Sequence, residues 1–298
     1  MGTGHTRDYT FSHRTSTARR KNGATRGGLL MKTSDGGRTP ADVYDELFVP
    51  ALFQRWAPVV LDEAHAGDGH RILDVACGTG ALALAAADRV GSDGKVVALD
   101  PNLEMLAVAR RKSGTIEWCE GAAESLPFAD GEFDAVVSQF GMMFFNDRTR
   151  ALREMMRVLR PNGRLAVAVC DSLDHSQGYA TLASLLERLF GRPIADAFRA
   201  PFMLGDPQLL LSICREANIE NAQVRQHKGL VRFASIAALV STERACAWTL
   251  GGLLDDRQFE HLSREAEQAL QQFVTADGGI EFEMPALIVT AAAPKAEL

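Results

Sequence analysis

Between residues 72 and 170, short and almost unbroken apolar runs alternate with stretches of helical period, and this constrains the fold more than any other feature. Ile72 to Val75 reads as a buried strand and Gly80 to Val90 as a helix; "KVVALD" is a second strand, ending at Asp100. Leu103 to Lys112 is helical, Ile116 to Trp118 a short strand, and "FDAVVSQF" a fourth strand. In "DRTRALREMMRVLR", Leu152, Met155, Met156 and Leu159 recur at i, i+3, i+4 and i+7, and "PNG" at 161–163 stops the helix before a fifth strand, "RLAVAVC". Strands apolar on both sides, separated by helices, predict a parallel sheet covered on both faces.

The flanks are less regular. "ADVYDELFVPALFQRWAPVVLDEA", from residue 41, has a helical period that Pro50 and Pro58 should break into pieces. After Cys170, helices are expected at 176–190, 207–217, 235–249 and 256–274, with a strand-like "AQVRQHKGLVRF" and "EFEMPALIVTAA" as the last strand. Asp206 before Pro207 gives an N-cap followed by proline at the first helical position. The expected division is a disordered basic leader over 1–38, a Rossmann-like core over 39–173, and a remainder over 174–298 that completes the sheet and carries helical lid insertions.

Charge and cysteine usage exclude several classes. Residues 1–30 carry six basic side chains against Asp8, so the net charge of −6 leaves −11 on the rest. A body that acidic is poorly suited to gripping a polyanion, which argues against a nucleic-acid substrate. No apolar run is long enough to span a bilayer. The five cysteines (Cys77, Cys119, Cys170, Cys214 and Cys246) are scattered, without metal-ligand or pairing spacing, so the reading is cytoplasmic and metal-free.

The chemistry concentrates in "ILDVACGTGALA", residues 72–83. In an open parallel sheet, ligands sit at the carboxyl ends of the strands, and the loop after the first strand is such a place. Gly78 and Gly80 let the chain turn tightly and bring a ligand against backbone N–H groups at the start of a helix. Gly78, Gly80 and Ala83 also satisfy the dinucleotide pattern, with Asp100 about twenty residues on, so an NAD(P)-dependent oxidoreductase is one reading. Asp74 separates the two: a carboxylate at the mouth of the loop, with no basic residue to compensate, repels a pyrophosphate and favours the ammonium and sulfonium of S-adenosylmethionine. Asp100 can accept from ribose hydroxyls under either reading.

"ILDVACGTG", "VVALDPNLEML", "GAAESLPFADGEFDAVVSQFGMMFF" and "ALREMMRVLRPNGRLAVAV" resemble the successive motifs of class I S-adenosylmethionine-dependent methyltransferases, closest to the ubiquinone/menaquinone biosynthesis branch. The resemblance covers roughly residues 40–170, with the terminal strand similar to the family's last antiparallel one. It implies an α/β fold with a doubly wound, mostly parallel seven-stranded sheet. It also implies S-adenosyl-L-methionine as cofactor, bound by Asp74, Ala76, Cys77, Gly78, Gly80, Asp100, Pro101, Met105, Ala123, Glu124, Gln139 and Phe140. One departure is Ala122, where the family usually carries Asp or Asn. The missing hydrogen bond to the adenine amino group, about 1 kcal/mol, should weaken the cofactor's hold unless Glu124 or backbone replaces it.

On the acceptor side, Tyr44, Trp56, Met143 and Phe144 are candidates, each with core packing as its alternative. Gln139 has a structural alternative too, a hydrogen bond to a neighbouring loop. His175, near Asp171 and just past a strand's carboxyl end, is the candidate base for the acceptor's proton. Segments 174–205 and 232–275 should form a lid over an apolar-walled pocket for an aromatic, polyketide-like or prenylated small molecule. The reading is methyl transfer to such an acceptor, with a homodimer as one option and a non-catalytic S-adenosylmethionine-binding protein as the alternative.

Overall fold

The computed structural model describes residues 39–245 and 250–295. The leader expected over 1–38, and Cys246, lie outside them. The main sheet is built from β1 (Arg71–Val75), β2 (Lys95–Asp100), β3 (Glu117–Glu120), β4 (Phe133–Gln139), β5 (Leu159–Cys170), β6 (Gln223–His227) and, after a separate hairpin of β7 (Leu230–Phe233) and β8 (Ile280–Glu283), β9 (Ala286–Ala292). Its order is β3-β2-β1-β4-β5-β9-β6, parallel except that β9 runs antiparallel to both neighbours. The strand order reverses between β1 and β4, so the crevice at the switch point opens beside the loop after β1.

The strands are apolar throughout because both faces are covered. Val97 and Leu99 enter one core layer, while Val96 and Ala98 enter the other. Helices α1 (Pro40–Val43), α2 (Ala57–Glu63), α3 (Ala81–Val90), α4 (Leu103–Lys112) and α5 (Arg148–Arg157) flank the first five strands. Helix α4 begins where Asn102 accepts the Glu104 and Met105 N–H groups, and α5 where Asp147 accepts from Arg150. The predicted stripe holds in part: Leu152 and Met155 of α5 are fully buried and Met156 partly, whereas Leu159 already begins β5.

Helices α6 (Gln177–Phe190), α7 (Arg192–Arg199) and α8 (Pro207–Glu216, capped by Asp206) follow β5; α9 (Ile236–Ala245) and α10 (Asp256–Ala269) lie between β7 and β8. Leu182 and Leu186 of α6, Leu239 of α9, and Phe259 and Leu262 of α10 share the apolar cluster that also holds Phe48 and Trp56.

The structure corrects the expected elements in three places. Pro50 does not break the N-terminal helix: Tyr44–Phe53 is wound with i→i+5 hydrogen bonds around it, and Gln54–Trp56 tightens to a 3₁₀ turn. A wider turn accommodates a ring with no N–H to donate. The sequence "PNG" lies inside β5 rather than before it, with Asn162 at φ 64°. Each C-terminal strand expectation resolves into two strands. β6 and β9 pair with each other in the main sheet, while β7 and β8 pair with each other outside it.

Candidate functional site

The loop after β1 depends on left-handed backbone. Ala76, Gly78 and Gly80 have φ of 60°, 54° and 88°. A Cβ on Gly80 would fall 2.5 Å from Trp118 Cη2, so both its dihedral and its space demand glycine. A Cβ on Gly78 would meet nothing within 4 Å, which leaves the outer wall of the turn open to a ligand. Asp100 braces the loop from β2: its Oδ2 accepts the Gly78 N–H and its Oδ1 the Asn102 N–H, both at 2.8 Å. Burial raises the Asp100 carboxyl above its ordinary value, and those two N–H groups pull it back down. Each oxygen keeps a lone pair for a further donor.

Five buried polar atoms on β1, the loop after it and the end of β4 have no hydrogen-bond partner among the described residues: both carboxylate oxygens of Asp74, Thr79 Oγ1, Ser138 Oγ and Gln139 Oε1. Asp74 sits beside Val137 in the β1–β4 ladder. A Cβ at Gly141 would fall 2.6 Å from Ala76 Cβ and 3.2 Å from Ser138 Oγ, so the two loops touch. Unmet buried polar groups cost about 1–3 kcal/mol each. Their concentration in one place is the mark of a site built for a polar ligand.

Asp74 is 1% exposed. Burial first, and the charge of Asp100 second, push its carboxyl up to about 8; the Ala83 N–H, which faces it without hydrogen-bond geometry, offsets part of this. This modifies the electrostatic expectation. Alone, Asp74 holds a proton at neutral pH, so it carries no standing negative charge with which to repel a pyrophosphate. A cation arriving there drives the proton off and gains a carboxylate partner.

The remaining expected residues fall in several places. Cys77 is buried and its thiol is pushed well above its ordinary value, which suits packing rather than nucleophilic chemistry. Pro101 is exposed at the start of the α4 loop, whereas Met105 is buried with Ala41 and Val108 against Tyr44. Ala123 is buried and Ala122 exposed. Glu124 is engaged at the start of α5 through one oxygen, its Oε1 taking the Asn146 and Asp147 N–H groups at 2.8 and 3.2 Å.

Gln139 does what its structural alternative anticipated, donating from Nε2 to the Phe53 carbonyl at 3.0 Å, and thereby ties the N-terminal segment to the end of β4. Phe140, at φ 55°, packs on Phe53 and Trp56 with ring centroids 5.5 and 5.9 Å away. Tyr44 stacks on Phe48 and Phe53. Met143 is buried, whereas Phe144 is 45% exposed.

His175 stands apart from the loop, beyond β5. Its Nδ1 lies 2.9 Å from Oδ2 of Asp171, which is 3% exposed. A carboxylate only accepts, so Nδ1 is the donor in this contact and Nε2 is the ring nitrogen it leaves free of Asp171. Gln226 Nε2 donates to the same Oδ2, and the Ser172 N–H to Oδ1 at 2.7 Å. Sequence reasoning missed Gln226, fifty-one residues away on β6, because nothing local marks it. Thr79 between the glycines and Ser138 inside an apolar strand were visible as polar interruptions.

Residues 73–167 match the family described as methyltransferase domain. The chain is 44% identical over 127 residues to a demethylmenaquinone methyltransferase of Renibacterium salmoninarum, covering 43% of this chain and 52% of that protein. It is 30% identical over 213 residues to a ubiquinone/menaquinone biosynthesis C-methyltransferase UbiE of Cellvibrio japonicus, covering 63% of this chain and 86% of that protein. Relatives of the first kind are matched over about half their own length. Among solved structures, the YcgJ protein of Bacillus subtilis shares the fold with a TM-score of 0.54 at 19% identity, covering 81% of this chain and 99% of that one.

Proposed function

Because this chain belongs to the class I S-adenosylmethionine-dependent methyltransferase family, on its ubiquinone/menaquinone biosynthesis branch, we propose that it binds S-adenosyl-L-methionine at the loop after β1 and methylates a small molecule. The observation that carries the proposal is the group of five unpartnered buried polar atoms on Asp74, Thr79, Ser138 and Gln139. They supply acceptors and hydroxyl donors for the ammonium and carboxylate of an amino acid, beside an open Gly78 turn. The Asp100 lone pairs that remain free suit ribose hydroxyls. Ala123, buried, and Pro101, at the opposite rim, would border the adenine.

When bound, the cofactor supplies an activated methyl group. What is left to the protein is to align the acceptor and exclude water. The aromatic cluster of Tyr44, Phe48, Phe53, Trp56 and Phe140, tied down by Gln139, covers this region and suits both tasks. We assign the acceptor's proton to His175 Nε2, with Asp171 holding the ring as the carboxylate does in other His-dependent enzymes. The acceptor is taken to be quinone-like, with an aromatic or prenylated body, since the relatives are named for such substrates and helices α6, α7, α9 and α10 add apolar cover. The acidic body argues against a nucleic-acid acceptor. The proposed setting is the cytoplasm; no helix among the described residues is long and apolar enough to cross a membrane.

Calorimetric titration with S-adenosylhomocysteine, followed by an acceptor screen scored by its release, tests the proposal. Binding with turnover supports it. Binding without turnover on any quinone-like acceptor would favour the non-catalytic alternative, and heat from NADH in place of the nucleoside would refute it.

A further inference from the structure

A cleft of about 380 Å³ lies between the N-terminal helical segment and the turn joining β6 to β7, lined by Arg55, Trp56, Val59, Lys228, Leu230 and Glu283. We propose that this cleft seats the methyl acceptor by an acidic hydroxyl, bound as a singly charged oxyanion. This rests on the methyltransferase reading above and narrows its substrate to acceptors that ionise.

Trp56 is 2% exposed, yet its indole Nε1 has no hydrogen-bond partner among the described residues. The indole packs edge-on against Gly229, which also lines the cleft: a Cβ there would fall 2.1 Å from Cζ2, the atom beyond the ring carbon next to Nε1, and 2.9 Å from Cη2. A buried N–H with no acceptor calls for one from a ligand, and indole can only donate.

The charges around it give the sign. On β6, Arg225 and His227 are both turned to Glu63 of α2. Lys228, two residues beyond Gln226, has no carboxylate within ion-pair distance among the described residues, and it faces the cleft. Arg55 spends one N–H on the Leu230 carbonyl at 2.6 Å and keeps the rest of its guanidinium for another acceptor. Glu283 is the one acid in the lining, so the cleft has a net charge of about +1. That balance suits a phenolate or enolate better than a phosphate, which the Glu283 carboxylate would oppose.

Two contacts tie the cleft to the proposed site. The Trp56 ring meets Phe140, the residue after β4, at 5.9 Å, and Ser176, the neighbour of His175, donates from Oγ to the Glu283 carbonyl at 2.8 Å. An ionised acceptor is the nucleophilic form, so holding it as the oxyanion favours transfer to its ring carbon as well as binding, and the proton left for His175 is the one that carbon sheds after taking the methyl group.

The test uses the full chain with S-adenosylhomocysteine present, titrated with 2-hydroxy-1,4-naphthoquinone, which is anionic at neutral pH, and with its neutral 2-methoxy ether. The hydroxy compound should bind about tenfold tighter. Lys228→Ala and Arg55→Ala should each weaken it about fivefold without changing the ether. Glu283→Gln should strengthen it about twofold, and Trp56→Phe should weaken it while sparing the ether. Lys228 and Glu283 are exposed, so those variants test charge without risk to the fold. A ratio between the two compounds that stays the same in Lys228→Ala and Glu283→Gln overturns the inference, even if S-adenosylhomocysteine binds normally. Loss of nucleoside binding with the ratio intact would instead sink the methyltransferase reading and leave the cleft as an oxyanion site.

Discussion

Asp74→Asn should make the ligand-free protein more stable at alkaline pH while abolishing cofactor binding. The wild-type carboxyl is pushed from 3.8 to about 8, chiefly by burial. A carboxyl whose value is raised on folding lets the native state hold a proton that the unfolded chain releases. Stability therefore falls as pH rises from about 4 to about 8, then levels off. Roughly four units at about 1.36 kcal/mol each set a ceiling of about 5–6 kcal/mol.

Asn removes the charge but keeps an amide without partners, which takes back about 1–3 kcal/mol. A net gain of about 2–5 kcal/mol corresponds to roughly 3–8 °C in a chain of this size. Thermal unfolding followed by circular dichroism at pH 9 and pH 5, on protein freed of bound nucleoside, reads this directly. The gain should be present at pH 9 and small at pH 5. An equal or lower Tm for the variant at pH 9 would show that Asp74 does not ionise at a cost in the free protein, and with it the argument that this site awaits a cation would fail.

Three further outcomes are expected. Ala122→Asp should add an acceptor for the adenine amino group, tightening S-adenosylhomocysteine about fivefold by calorimetry; no change would place the adenine elsewhere. His175→Asn should lower kcat about a hundredfold with nucleoside affinity unchanged, and Asp171→Asn should lower kcat and shift its pH profile. A role in holding the loop alone would leave that profile in place. Gly80→Ala combines a strained φ of 88° with a 2.5 Å approach to Trp118, so it should destabilise by about 1–3 kcal/mol and broaden the near-ultraviolet signal of that tryptophan.

The limits of sequence reading follow from how far apart the interacting residues lie. The glycine turn was legible because its needs are local: a left-handed backbone, a helix start and an acid on either side all fall within thirty residues. The N-terminal winding was not, because proline's preference for ending helices is a propensity, and packing of Phe48, Leu52 and Trp56 into the core overrode it. The β6–β7 split was invisible for a similar reason: "AQVRQHKGLVRF" carries one strand-like pattern, and only the choice of partners, β9 for one half and β8 for the other, divides it.

Sequence alone determined the layered α/β core, since apolar strands alternating with amphipathic helices have few other ways to leave water, and it marked Asp74, Gly78, Gly80 and Asp100 as the candidate site. Tertiary structure decided everything that depends on residues meeting from distant segments: that Glu124 is committed to the start of α5, that Gln139 grips the N-terminal segment, that Gln226 joins Asp171 and His175, and that Trp56 faces Lys228 across a cleft. The physical reason is the range of the forces. Backbone conformation and amphipathic period are written within a few residues, whereas burial, which sets the protonation of Asp74 and leaves polar atoms without partners, exists only once the chain has closed around them.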